Sequence, residues 1–230
     1  MKRHLVVFSG AGISAESGLN TYRDENGLWR DKSLVELMNV GGYYEQPEKV
    51  LDILNDMRLK CYESSPNNAH RRLAELEDFF KVTILTQNVD DLHERAGSSN
   101  IIYLHGELSK VTSSKNRTDI TCIKDFPMNI PIKIGDKADD GSQLRPAVVL
   151  FGEYLTNYSK AVEIVKSADI FLVIGTSLKV FPASQLINHI PNNIPRYIID
   201  TQKLSLDGFK TIQATATSGI EIFAKEINNL

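Results

Sequence analysis

Cysteine is nearly absent from this chain of 230 residues, which holds only Cys61 and Cys122. Two thiols cannot build a disulfide framework or a four-cysteine metal site, and they suit a reducing, cytoplasmic setting. Charge of one sign is also lacking, because 26 Lys and Arg stand against 29 Asp and Glu for a net charge of −3. Nothing therefore drives the chain broadly toward nucleic acid or an anionic membrane, and neither is expected as a partner. No apolar run comes near the roughly 18 residues that span a bilayer. The start, MKRHLVVFSGAG, meets glycines before a signal-peptide core could form. Repeats and low-complexity tracts are missing too. What remains, 42% hydrophobic and 24% charged residues, is the composition of a globular protein. Its length suits one large core, 1–230, carrying one inserted module.

Short apolar runs recur at His4–Ser9, Lys81–Leu85, Asn100–Leu104, Ala147–Phe151, Ile170–Gly175 and Arg196–Asp200. Each ends in a polar or glycine-bearing stretch, and helical patterns lie between them at Pro47–Tyr62, Asn67–Phe80, Tyr154–Ser167, Pro182–His189 and Ser218–Asn228. This alternation predicts an α/β fold, a parallel sheet with helices on both faces. Two stretches break it. Asn20–Asp31 is polar, carries the single tryptophan and reads as a long functional loop. The other, Glu107–Arg145, predicts a small inserted module (107–145) with a β-favouring middle of Ile120, Ile123, Phe126, Ile130, Ile132 and Ile134 that holds it together by burial.

Chemistry-bearing residues collect where the runs end. Gly10-Ala11-Gly12-Ile13-Ser14-Ala15 is a G-x-G-x-x-A turn, in which missing side chains let backbone amides and a helix N-terminus approach a pyrophosphate; the same glycines also serve close packing. The acid expected about 20 residues later in a common dinucleotide fold falls inside the Asn20–Asp31 loop, so a nucleotide would sit differently here. Thr86-Gln87-Asn88-Val89-Asp90-Asp91 offers amides and carboxylates suited to a ribose or carboxamide, or to helix capping by Asn88 or Asp90. His105, beside Gly106 at a strand end, reads as a general base, whereas His4, His70, His93 and His189 read as structural. Gly175-Thr176-Ser177 suits phosphate or ribose, or an ordinary capped turn.

In this order and content the blocks resemble the sirtuins, the NAD-dependent protein deacylases. The family's GAGxSxxSGIPxFR pattern is met from Gly10 to Arg23, TQNxDxLHxxAG from Thr86 to Gly97, and His105-Gly106, Arg145–Glu153 and Gly175–Leu178 follow. The resemblance implies a Rossmann-like sheet plus a smaller module, with NAD and an acyl-lysine peptide meeting between them. By position it assigns Gly10, Ala11, Gly12, Glu16, Tyr22 and Arg23 to the cofactor, together with Gln87, Asn88, Asp90, Gly175, Thr176, Ser177 and Asp200. His105 would act as base, with Asn88 and Asp90 as catalytic partners. The acyl oxygen would attack the nicotinamide ribose at C1′ and nicotinamide would leave. Val149, Phe151, Gly152 and Glu153 would meet the substrate by strand addition, and Leu54 and Met57 would wall the acyl group.

Four departures are visible. The family's zinc-binding cysteine pairs fall on Ser113 and Asn116, then on Lys137 and Asp140, so no zinc is expected. Tyr22 replaces a phenylalanine and Asp200 an asparagine. Leu54 and Met57 stand where desuccinylases of the family carry a Tyr-x-x-Arg pair, which predicts preference for acetyl and other neutral acyl groups; Arg58, one position on, should point elsewhere. The leading reading is NAD-dependent deacylation of protein lysines. Beside it stand an NAD glycohydrolase or mono-ADP-ribosyltransferase using the same site, and an NAD-binding interaction protein, against which intact Asn88, Asp90 and His105 argue.

Overall fold

The computed structural model describes residues 2–21, 31–204 and 206–227. Six strands form one parallel sheet: β1 (His4–Ser9), β2 (Lys81–Thr86) and β3 (Ile101–Tyr103), then, beyond the small module described below, β7 (Ile170–Ile174), β8 (Arg196–Asp200) and β9 (Lys210–Gln213). Their order is β3-β2-β1-β7-β8-β9. Leu5 to Ser9 of β1 face Val82 to Thr86 on one side and Ile170 to Ile174 on the other. Every residue of β1 and β7 is buried. Near-continuous apolar runs are what a strand covered on both faces requires, and this is why the sequence announces these strands.

Helices are α1 (Lys32–Leu37), α2 (Val40–Glu45), α3 (Pro47–Glu63), α4 (Asn68–Glu75), α5 (Leu92–Arg95), α6 (Tyr158–Lys166) and α7 (Ala216–Ile227). On one sheet face α7 buries Ala216, Ile220, Phe223 and Ile227, a helical stripe, and α4 adds Ala69 and Leu73. Ala161 and Val165 of α6 pack on the opposite face with Phe8, Phe171 and Leu186. Asn67 caps α4 in a reciprocal box: its side chain accepts from the Ala69 amide, and its own amide donates to His70 Nδ1.

Several expectations need correction. The segment after β1 is not an α-helix but two 3-10 turns, Ala11–Ile13 and Ala15–Ser17, and Pro182–His189 is a 3-10 helix over Ala183–His189. The run Ala147–Phe151 does not join the parallel sheet. Its strand is β6 (Leu144–Val148), the antiparallel partner of β4 (Gly106–Ser113) in a second sheet of order β5-β4-β6, where β5 is Lys124–Asp125. An apolar run alone does not say which sheet receives it. β4 escapes the sequence because its register shifts between Glu107 and Val111, which leaves Leu108 and Val111 both buried three apart and destroys the two-residue alternation.

The module's middle is also not held as its isoleucines suggest. Ile132 is buried, but Ile120 is 81% exposed and Ile130 and Ile134 about half exposed. Two polar constructions hold it. Arg58 of α3, fully buried, donates through Nε to the Leu108 carbonyl (3.1 Å), through Nη1 to Ile130 (2.8 Å) and through Nη2 to Pro127 (2.7 Å), with its guanidinium over the Phe126 ring. Asp140 takes the second role. It accepts from Ser113 Oγ (2.6 Å), Asn116 Nδ2 (2.9 Å), Ser142 Oγ (2.7 Å) and the Ser142 amide (3.0 Å). These hydrogen bonds, from Ser113 first, hold its carboxyl down at about 2.

Candidate active site

The chain order places β1 between β2 and β7, so the crossovers diverge there and a crevice opens beyond the carboxyl ends of the strands. A cleft of about 310 Å³ occupies that place. Ala11 and Gly12 after β1, Gln87 and Asn88 after β2, Gly175, Thr176 and Ser177 after β7, and Asp200 ending β8 all line it. Tyr22 and Arg23 lie outside the described residues.

The glycine turn serves packing first. A Cβ on Gly12 would stand 2.7 Å from Gly175 Cα, so the turns after β1 and β7 can touch only without side chains. The amides of Gly10 and Gly12 donate to the carbonyls of Ile174 and Gly175, and those of Ile13 and Ser14 donate within the turn. The expected fan of free amides at a helix N-terminus is therefore absent from these four residues. Gly10 does not line the cleft, and neither does Glu16, whose carboxylate accepts from the amide (2.9 Å) and hydroxyl (2.7 Å) of Thr217 at the start of α7.

His105 sits between β3 and β4 on the cleft wall. Its Nδ1 lies 2.8 Å from the Gln87 carbonyl, an acceptor, so Nδ1 carries the proton and Nε2 keeps its lone pair. Burial lowers the ring's pKa, opposed in part by that hydrogen bond. Gly106, with φ +77°, turns the chain here; a Cβ would meet the Ala147 carbonyl oxygen at 2.0 Å. The residue type beside the base is thus dictated by the crossing of β4 and β6.

Asn88 is 2% exposed and held from behind. Its Nδ2 donates to Ser14 Oγ (3.0 Å) and its amide to Thr86 Oγ1 (3.0 Å). Ser14 Oγ donates in turn to Asp90 Oδ2 (3.0 Å), and Ser9 Oγ lies between Thr86 and His93. Asp90 is off the cleft wall; burial raises its carboxyl to about 6. Sequence reasoning placed Asp90 at the reacting centre, whereas the fold sets it behind Ser14. Asn88 Oδ1 and Gln87 Nε2 are buried with no partner among the described residues, while Thr176 Oγ1 donates to Gln87 Oε1 (3.1 Å). An orphaned acceptor and donor on the wall of one cleft fit a ligand offering a hydroxyl and a carbonyl, as a nicotinamide riboside does.

Leu54, Met57, Val149, Phe151, Gly152 and Glu153 also line the cleft. They are joined by Met38 and Val89, which no sequence signal singled out because the short helices around Met38 carry no clear periodicity. Arg58 points away into the module, as described above. The amides of Val149, Leu150, Phe151 and Glu153 donate to His105, Glu153, Met38 and Leu150, so this wall is shaped before any peptide arrives. Glu153 faces inward: Arg145 donates to both its carboxylate oxygens (2.8 and 3.3 Å).

The sheet, its crevice and the histidine over it define an α/β protein with a ligand site at the strand switch point. More narrowly, the chain belongs to the Sir2 family, whose model matches residues 10–182. An NAD-dependent protein deacylase of Bacteroides thetaiotaomicron is 45% identical over 223 residues, 95% of either chain. A Sir2 homologue solved with NAD is 35% identical with a TM-score of 0.83, covering 99% of this chain and 90% of its own. A mutant Sir2 homologue solved with 2′-O-acetyl-ADP-ribose is 34% identical at a TM-score of 0.83, with 99% and 93% covered.

Proposed function

We propose that this protein is an NAD-dependent deacylase of protein lysines carrying acetyl or other neutral acyl groups. The observation that carries the reading is the histidine of fixed tautomer, His105, on the same wall as Gln87 Nε2 and Asn88 Oδ1, which have no partner among the described residues. When bound, NAD supplies a ribose–nicotinamide bond whose cleavage gives the acyl oxygen a carbon to join. Asn88 and Gln87 orient that ribose and carboxamide, with Ser14, Thr86 and Asp90 fixing Asn88. Ala11, Gly12, Thr176, Ser177 and Asp200 flank the rest of the dinucleotide. His105 Nε2 takes a proton from a ribose hydroxyl. The deacylase named above and the acetyl-ADP-ribose complex support this assignment. Mass spectrometry of the products tests it: nicotinamide with 2′-O-acyl-ADP-ribose is expected from an acetyl-lysine peptide. ADP-ribose alone, or a peptide gaining ADP-ribose, would establish glycohydrolase or transferase chemistry instead.

The acyl wall sets substrate choice. Leu54 is fully buried and Met57 half-buried beside Met38 and Leu150, and the basic side chain among the described lining residues, Lys179, follows β7. A succinyl carboxylate there would lose its water without a partner. For one peptide at saturating NAD, kcat/KM for succinyl-lysine should be about tenfold or more below that for acetyl or butyryl. Equal values would reverse this assignment.

The protein is further proposed to work without zinc. Ser113, Asn116, Lys137 and Asp140 include no thiolate or imidazole, and both Asp140 oxygens are engaged by hydrogen-bond donors. Among the described residues no group of three His, Cys, Asp or Glu side chains is placed to hold a metal ion. Chelator treatment should leave the melting temperature and turnover unchanged, and metal analysis of tag-free protein should find no stoichiometric zinc. The buried free thiols of Cys61 and Cys122 suit the cytoplasm, and no described helix is long and apolar enough to cross a membrane.

A further inference from the structure

Arg117 comes from the polar Ser113–Arg117 stretch at the tip of the small module, a stretch that belongs to none of the motifs carrying the chemistry. Its Nε lies 3.2 Å from Glu153 Oε2, with both side chains only 13–14% exposed, and its Nη2 donates to the Tyr154 carbonyl at 2.8 Å. Glu153 already has a two-pronged partner in Arg145, which also donates to the Val148 carbonyl (2.8 Å), and its Oε2 accepts from the Leu150 amide (2.7 Å). Ion pairing alone therefore does not call for a second arginine. What Arg117 adds is reach: Arg145 fixes the near end of the cleft wall at Val148, and Arg117 fixes its far end at Tyr154. The base of Arg117 is anchored in turn. Thr112 Oγ1 donates to its carbonyl (3.1 Å), and the preceding Asn116 is bound through its amide to Ser113 and through its side chain to Asp140.

We infer that Arg117 is a positioning residue for the acyl-peptide wall, Val148 to Leu155, clamping Glu153 and Tyr154 from the module's Asp140-centred tip. The inference rests on the deacylase reading for its kinetic consequence and on geometry alone for its structural one. Freed at its far end, the wall should sample more conformations, so peptide binding weakens while the nucleotide site and the base stay as they are. A forked guanidinium reaches both acceptors at once; an ammonium satisfies one.

Hydrogen exchange and steady-state kinetics on the full chain test this. Arg117→Ala should speed amide exchange in 148–155 and leave β1 and β7 protected as in the wild type. It should raise the peptide KM about fivefold or more, as expected for a largely buried charged pair, with kcat and the NAD KM within about twofold. Arg117→Lys should fall between, and it supplies the same readouts if the alanine variant folds poorly. Unchanged exchange in 148–155, or acceleration that includes β1 and β7, overturns the assignment; so does an unaltered peptide KM. If the wild type forms no acyl-ADP-ribose, the deacylase reading falls, and the exchange measurement still decides the role of Arg117.

Discussion

His105→Ala is expected to slow deacylation by about 10²-fold or more, the usual share of a general base, while NAD binds nearly as before. The reasoning is geometric. The Gln87 carbonyl takes the Nδ1 proton, so Nε2 is the nitrogen able to accept one on the cleft side. The orienting groups, by contrast, hang from Asn88 and from Thr176 through Gln87, and none is bonded to the His105 ring except the backbone oxygen of Gln87. Removing the ring thus deletes a proton acceptor and leaves the nucleotide's partners in place. The pH dependence follows from the same surroundings. Burial lowers the ring's pKa below 6.5, so the neutral base persists somewhat into acid, and kcat/KM should fall only as pH drops through a value below 6.5. Turnover in the alanine variant within a few-fold of wild type, with the acid limb unmoved, would remove His105 from this role.

The largest expected loss of stability belongs to Arg58→Leu. Burial pushes the guanidinium down to about 10, still charged at neutral pH, and the protein meets it with carbonyls of Leu108, Pro127 and Ile130. Leucine fills part of the volume but takes the guanidinium's donors from the Leu108 and Ile130 carbonyls, while that of Pro127 keeps the Ile130 amide at 3.1 Å. Each buried orphan costs about 1–3 kcal/mol, and with the guanidinium's packing on Phe126 lost as well a total of about 3–5 kcal/mol is expected. For a chain of this size that lowers the melting temperature by on the order of 10 °C. Arg58→Lys should recover only part, since one ammonium cannot span the fork. Thermal melting of both variants measures this, and a shift of a degree or less for leucine would mean the module is held by something other than this cage.

Arg58 also marks where reading the sequence stops. In a helix of mixed polarity, Pro47–Glu63, an arginine normally looks outward, and nothing local tells that three carbonyls 50 to 72 positions later will converge on it. The parallel strands were legible because burial on both faces demands unbroken apolar runs, and the site was legible because its residues sit one or two positions past those runs. β4 was not, since a bulge erases the alternation that would betray it. The bonding of Glu16 is not legible for a related reason. Its sequence neighbours are cofactor-turn residues, yet its carboxylate is spent on a helix 201 positions away.

The central place of β1 has a consequence for how the molecule comes into being. Its partner on one side, β7, begins at Ile170, 165 positions after Leu5 in their shared register. A ribosome adding about 5–20 residues per second takes on the order of 10–30 s to make that stretch. Through all of it one edge of this fully buried strand has no native neighbour, and the turn after it has no Gly175 to close against. The cleft can form only once most of the chain has left the ribosome. A nascent chain ending between β2 and β7 exposes that edge, and the emergence of β7 covers it.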